Sequence, residues 1–322
     1  MTSSGRLPRG GHIRPAPKTV CQSRYYIIRI MQFPDDVSAY LRAIDQWAIQ
    51  PMPELTTNDD FMTLGMELMN HAQYLLLIGI SLAPSQMQAE NGVARRRAIV
   101  LGHLVRIHKL YDALRYHTAN KERDICHIFT RLIVETSSKA QYLMKAKNSS
   151  FRSFVLTSYR PEKEMLEDLR QKAATRPLLP IERRMVASIM RSLKEDRVSL
   201  KALKASKHRE LDGKTFRQML SDIGDDSGYV YGFGMGSHWI HGDWFDLRCN
   251  HLEKIHGKYR ALWGHGTPDP RGVGPATIIC LSCVLQYIKW NRSDPGRVVL
   301  PTIQSLLETA HRLDAEHEIS LR

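Results

Sequence analysis

An all-α fold is predicted from three observations. Apolar residues recur at helical spacing along most of the chain, no stretch keeps strict alternation between hairpin turns, and prolines mark the boundaries of the periodic segments. The expected architecture is a multi-helix bundle of about nine to eleven helices.

Asp35 and Asp36 open the first helix, which reaches Gln50 before Pro51 stops it. Asn58, Asp59 and Asp60 then cap a longer one through Phe61, Leu64, Leu68 and Leu75 to Leu82. A third is predicted from Gln86 to Tyr116, with Val100, Leu104, Ile107 and Leu110 on one stripe, and a fourth from Lys121 to Lys145. Ser150 to Tyr159 form a short helix, and Pro161 fits the first turn of the next, which continues to Ala174. Beyond Pro177 and Pro180 comes a strongly basic segment, Ile181 to Arg209. Two short helices follow, one ending near Gly224 and one over Tyr229 to His241, then a Gly- and Pro-rich excursion up to Pro275. Helices over 276–291 and 302–319 close the chain.

The composition, 322 residues with 43% hydrophobic and 25% charged, excludes a collagen, a disulfide scaffold and a fully disordered chain. Five scattered cysteines fit a reducing cytoplasm, and Cys280 and Cys283 lie in an apolar run where cysteine packs as a small hydrophobe. The net charge is +13, and six of those charges lie in residues 1–30, which hold no acid. The body is still basic, compatible with an RNA or nucleotide partner through phosphate neutralisation. Residues 1–30 read as a disordered basic tail. Deleting residues 2–30 is expected to shift the thermal midpoint by less than about 5 °C. The longest apolar runs are too short to span a bilayer, so no membrane partner is expected.

Two segments could carry chemistry. Arg131 and Glu135 are four apart in Phe129-Thr-Arg-Leu-Ile-Val-Glu135, as are Ser237 and His241 in Ser237-His-Trp-Ile-His241-Gly242, so each pair shares a helix face. One reading joins the faces into a catalytic site, with Glu135 orienting His241 and Arg131 holding an anion; the other makes each pair a buried polar network. A shared site would place Glu135 within direct or one-water reach of Arg131 or His241, with Gly242 ending its helix in a left-handed cap. His238, His241 and Asp243 have a weak metal-ligand spacing, but no metal and no cofactor are expected. Lys194, Arg197, Lys201 and Lys204, spaced 3, 4 and 3, make a partner- or anion-binding stripe if their helix is continuous; Ser199 could instead cap a new helix and break it. The small residues Gly232, Gly234 and Gly236 fit close helix packing better than a dinucleotide loop.

The helix with R-x-x-x-E, the step Gln141-Tyr-Leu-Met144, Phe151 and Phe154, and the run Gly224, Tyr229, Phe233, Ser237, His241, Gly242 resemble the bacterial family known as domain of unknown function 5677. The resemblance covers residues 60 to 245 and implies structural roles for Tyr229, Phe233 and Gly242. Phe233 stands where a second tyrosine is expected, so no hydroxyl role is carried over there. The helical layout and the Arg, Glu and His set are also reminiscent of HEPN ribonucleases, which join an Arg and a His at a dimer interface. Their spacing, Arg then His after four to six residues, occurs five times here against about four by chance, so it decides nothing.

The predicted organisation is a tail over 1–30 and a single helical domain over 31–322, its last part, 246–322, a helical extension. Two functions are open: a metal-independent ribonuclease-like or nucleotide-directed enzyme using Arg131, Glu135, Ser237 and His241, or a non-catalytic helical module for a protein or nucleic acid partner. A homodimer is compatible with both.

Overall fold

The structure, a computed structural model, describes residues 34–82, 92–206, 210–225, 233–292 and 294–322. Chain contacts divide the molecule into residues 1–40 and residues 41–322. The basic tail and Tyr229 lie outside the described residues.

The described chain is essentially all-α, with eleven helices of seven or more residues. In order these are α1 (Pro34–Ala48), α2 (Asn58–Leu82), α3 (Arg95–Ala119), α4 (Arg123–Lys145), α5 (Asn148–Ser158), α6 (Arg160–Thr175) and α7 (Pro180–Glu195). A six-residue helix, α8 (Leu200–Ala205), precedes α9 (Phe216–Ile223) and α10 (Met235–His241), and α11 (Val273–Asn291) and α12 (Leu300–Ser320) complete the set.

The centre is α11. Val273, Ala276, Thr277, Cys280, Leu281, Cys283, Val284, Tyr287 and Ile288 are buried around its circumference, where it meets α2, α3, α4 and α12. Among the described helices it alone is long and apolar enough to cross a membrane by length and composition, but more than half of that window is buried inside the fold. Two glycines of α2 admit it closely. A methyl on Gly65 would sit 3.2 Å from Val273, and one on Gly79 only 2.7 Å from Val284 Cγ1. Gly79→Ala is therefore expected to cost about 1–3 kcal/mol, measured by urea unfolding, because a packed helix pair must separate. Where α11 meets α3, the buried hydroxyls of Tyr111 and Thr277 hydrogen-bond at 2.6 Å.

Helices α6, α7 and α8 surround a smaller core of Ile189, Leu193 and Leu203, with Leu166 and Tyr159 against it. Here the stripe of Lys194, Arg197, Lys201 and Lys204 is broken. Helix α7 ends at Glu195, Arg197 takes a left-handed conformation (φ 52°), and the Ser199 hydroxyl accepts from Ala202 N–H at 3.1 Å to start α8. Capping satisfies an N–H that a continuous helix would have bonded to its own backbone. All four cations are exposed but do not share one helical face.

The third helix begins at Arg95: residues 92–94 are not helical and Gly92 has φ 82°, while Gln86, its expected start, lies outside the described residues. The excursion before Pro275 contains an unpredicted hairpin, β1 (Leu252–Ile255) paired antiparallel with β2 (Lys258–Ala261). Its strands are short and rich in charge. Its turn, His256-Gly257, has positive φ at both positions, which matches the twist of paired strands.

Burial depresses the pKa of His71, His103, His108 and His127 below the ordinary 6.5, while Asp124 raises that of His265. A group whose folded pKa is depressed contributes stability that is fully present above the unfolded value and is lost as pH falls from that value through the folded one. Four such groups outweigh one of the opposite sign, so the urea midpoint should fall between about pH 7.5 and 5.5.

Candidate functional site

Helix α4 carries Arg123, His127, Arg131, Glu135 and Lys139 at intervals of four, one ridge along the helix. Helix α10 and the turns after it pack onto this ridge.

Arg131 is buried in the middle. Its guanidinium carbon lies 3.3 Å from the centroid of the Phe233 ring, and Gly236 sits so close that an added methyl would be 2.7 Å from Arg131 Cδ. Arg131 Nη1 donates to Glu135 at 2.9 Å, and Lys139 donates to the other carboxylate oxygen. Desolvation lowers the Arg131 pKa against the pull of Glu135. Desolvation raises that of Glu135, but Lys139 and Arg131 together outweigh it and the net shift is downward. Glu135 is thus held ionised between two cations, a poor state for a proton acceptor.

The second pair goes elsewhere. Ser237 Oγ donates to the carbonyl of Phe233 in its own helix. His241 is exposed and makes no hydrogen bond or ion pair among the described residues. It follows Gly236 by five residues, about 140° around the helix from the face on α4. The structure therefore joins Arg131 to Glu135 but does not join that pair to Ser237 or His241. Gly242 ends α10 with φ 59° and ψ 41°. The candidate metal trio resolves into a His238–Asp243 pair with His241 apart, and Asp243 also accepts from the N–H groups of Phe245 and Asp246. No group of three metal-ligating side chains occurs among the described residues.

The ridge toward the start of α4 opens on a cleft of about 570 Å³, lined by Arg123, His127, Trp239, Phe245, Arg248 and Asp269 among others. The His127 and Trp239 rings stack at 4.4 Å and 13°, and Phe245 meets Trp239 at 5.5 Å. Desolvation, then Arg123, lowers the His127 pKa, leaving the imidazole neutral at pH 7. Arg123 Nη2 donates to the Cys249 carbonyl and to Asn250 Oδ1, and its backbone N–H donates to the Gly266 carbonyl. Asn250 is oriented in turn by buried Asp246. Arg248, exposed, lies 5.5 Å from the Phe245 ring. Asp59 and Asp269 also line the cleft, Asp269 paired with Arg271, so the aromatic wall, the exposed Arg248 and a neutral imidazole are the groups that suit a planar, anionic ligand.

None of these cleft residues figured in the sequence-based site. The signal available was the interval of four continued backward from Arg131 to His127 and Arg123.

A family model described as a family of unknown function (DUF5677) matches residues 97–259, half of the chain. The chain belongs to the DUF5677 family. The DUF5677 segment starts inside α3 and ends in β2, so it begins later and ends later than the 60–245 read from the motifs. It includes the ridge of α4, α10, Phe245 and Arg248, and leaves out α12 as well as α2 and α11, against which its own helices pack. No curated protein and no solved structure matches the chain.

Proposed function

We propose that this DUF5677 protein binds a nucleotide, free or within RNA, in the α4–α10 cleft. Its phosphate would be met by Arg248, and its base would lie against the aromatic wall of Trp239 and Phe245. The observation that carries this reading is the convergence of Arg123, Arg248 and the stacked His127–Trp239 pair on one cleft of about 570 Å³. A pocket of that size suits one nucleotide. The probe is AMP, titrated calorimetrically beside adenosine. Arg248→Ala should weaken AMP about tenfold while leaving adenosine nearly unchanged, the signature of a phosphate contact. Absence of heat with both ligands would overturn the reading.

A catalytic, ribonuclease-like role is favoured by one feature, the neutral half-buried imidazole of His127 in the cleft. Such a group can take a proton from a ribose hydroxyl. On this reading His127→Ala abolishes cleavage of an RNA oligonucleotide and spares its binding, whereas His241→Ala leaves both intact. Loss of cleavage in His241→Ala alone would restore the site formed around His241.

A further inference from the structure

We infer that Trp244, Tyr259 and Trp263, on the turn and hairpin next to the cleft, form a stacking platform for the bases of a single-stranded nucleic acid. The inference rests on the nucleotide reading of the cleft and extends it from one nucleotide to several.

Trp263 is 92% exposed, Trp244 55% and Tyr259 43%, with Leu262 beside them. Three large aromatic side chains open to water within twenty residues are a costly arrangement unless something covers them. The Trp244 and Tyr259 rings are in edge contact at 5.2 Å, which joins the turn before the hairpin to its second strand. Trp244 directly precedes Phe245, and Phe245 and Arg248 line the cleft, so platform and cleft are continuous along the chain.

Charge identifies the occupant. From Trp244 to Trp263 the cations are Arg248, Lys254, Lys258 and Arg260, and the acids are Glu253 and the buried Asp246. Residues opposite each other in an antiparallel pair share a face, so Lys254 stands beside Tyr259, its partner in register. Glu253 pairs with Arg260 on the other face, where Arg260 Nε donates to its carboxylate at 2.8 Å. The aromatic face is left with a cation and no acid. The centre of a protein-binding patch is depleted in charge. Here Lys254 stands beside the Tyr259 ring and Arg248 beside the Phe245 ring, the pairing of cations with rings by which a surface tracks a phosphodiester backbone while bases stack. Stacking is tolerant of base identity, so the site would prefer unpaired strands over any particular sequence.

The test uses the full chain with fluorescein-labelled decauridylate, read by anisotropy, and AMP, read by calorimetry. Wild type should bind the oligonucleotide at least about tenfold more tightly than AMP. The triple variant Trp244→Ala, Tyr259→Ala, Trp263→Ala should keep its affinity for AMP and lose that gain, with its circular dichroism and thermal midpoint unchanged. Lys254→Ala should lower the slope of log affinity against log salt by about 0.7, a readout that altered packing would not give. If AMP binds and the oligonucleotide binds no more tightly, the platform is overturned and the cleft reading stands. If neither binds, both fall. If the triple variant keeps full oligonucleotide affinity but sediments at half the mass of wild type, the aromatic face joins two copies of the chain and the inference is overturned.

Discussion

Arg131→Ala is expected to lower the unfolding free energy by about 3 kcal/mol in urea titrations. Two losses combine. A guanidinium is removed from between Phe233 and Gly236, leaving a cavity where α10 meets α4. Glu135 loses one of its two cationic partners, but Lys139 remains and the carboxylate is about one-third exposed, so that part of the penalty is modest. The packing loss is the larger share, and Arg131→Met should recover about half of the total by filling the gap. His241→Ala, at an exposed position, should stay within about 0.5 kcal/mol. Equal costs for Arg131→Ala and His241→Ala would refute a packing role for Arg131.

The second large effect is local. Arg123→Ala removes two charge-assisted hydrogen bonds to the chain at Cys249 and Asn250, each worth about 1.5–3 kcal/mol. The same guanidinium lies against Gly266, where an added methyl would be 2.6 Å from its central carbon. With it gone, residues 247–269 lose two side-chain bonds to α4 and keep the backbone bond from residue 123 to Gly266 and the His265–Asp124 contact, while the helices around α11 keep all of theirs. Amide exchange in 247–269 should accelerate at least about tenfold and that of α2 and α11 stay unchanged, with AMP binding lost together with the cleft wall. Gly266→Ala should produce the same local loosening from the opposite side. Uniform acceleration through the core would show that Arg123 instead supports the whole fold.

The helical class was legible because it rests on local information. Apolar spacing gave α2, α4 and α11, Pro161 marked a helix start, and Gly224 and Gly242 marked ends that the backbone meets with positive φ. The Arg131–Glu135 pair was legible for the same reason, being one helical turn long. The partner of that pair was not. Its guanidinium is covered by Phe233 and Gly236, about a hundred positions away, and nothing at Arg131 announces which face of α10 will arrive. The cleft failed to show for a like reason, since Arg123 meets Cys249 across 126 residues of chain. The hairpin was hidden by its own chemistry. Exposed strands need no apolar alternation, and a His-Gly turn is a weaker signal than Asn-Gly.

The cysteines also make the protein a reporter on its own opening. Cys280 and Cys283 lie fully buried in α11, where desolvation holds the Cys280 thiol far up and pushes that of Cys283 to about 12. Cys126 is buried and raised as well, whereas Cys249 stands half-buried at the cleft. Because alkylation needs a thiolate that water can reach, a labelling reagent should read two separate clocks among the described cysteines. Cys249 would count openings of the cleft segment, and Cys280 with Cys283 would count only the rare events in which α11 leaves the core.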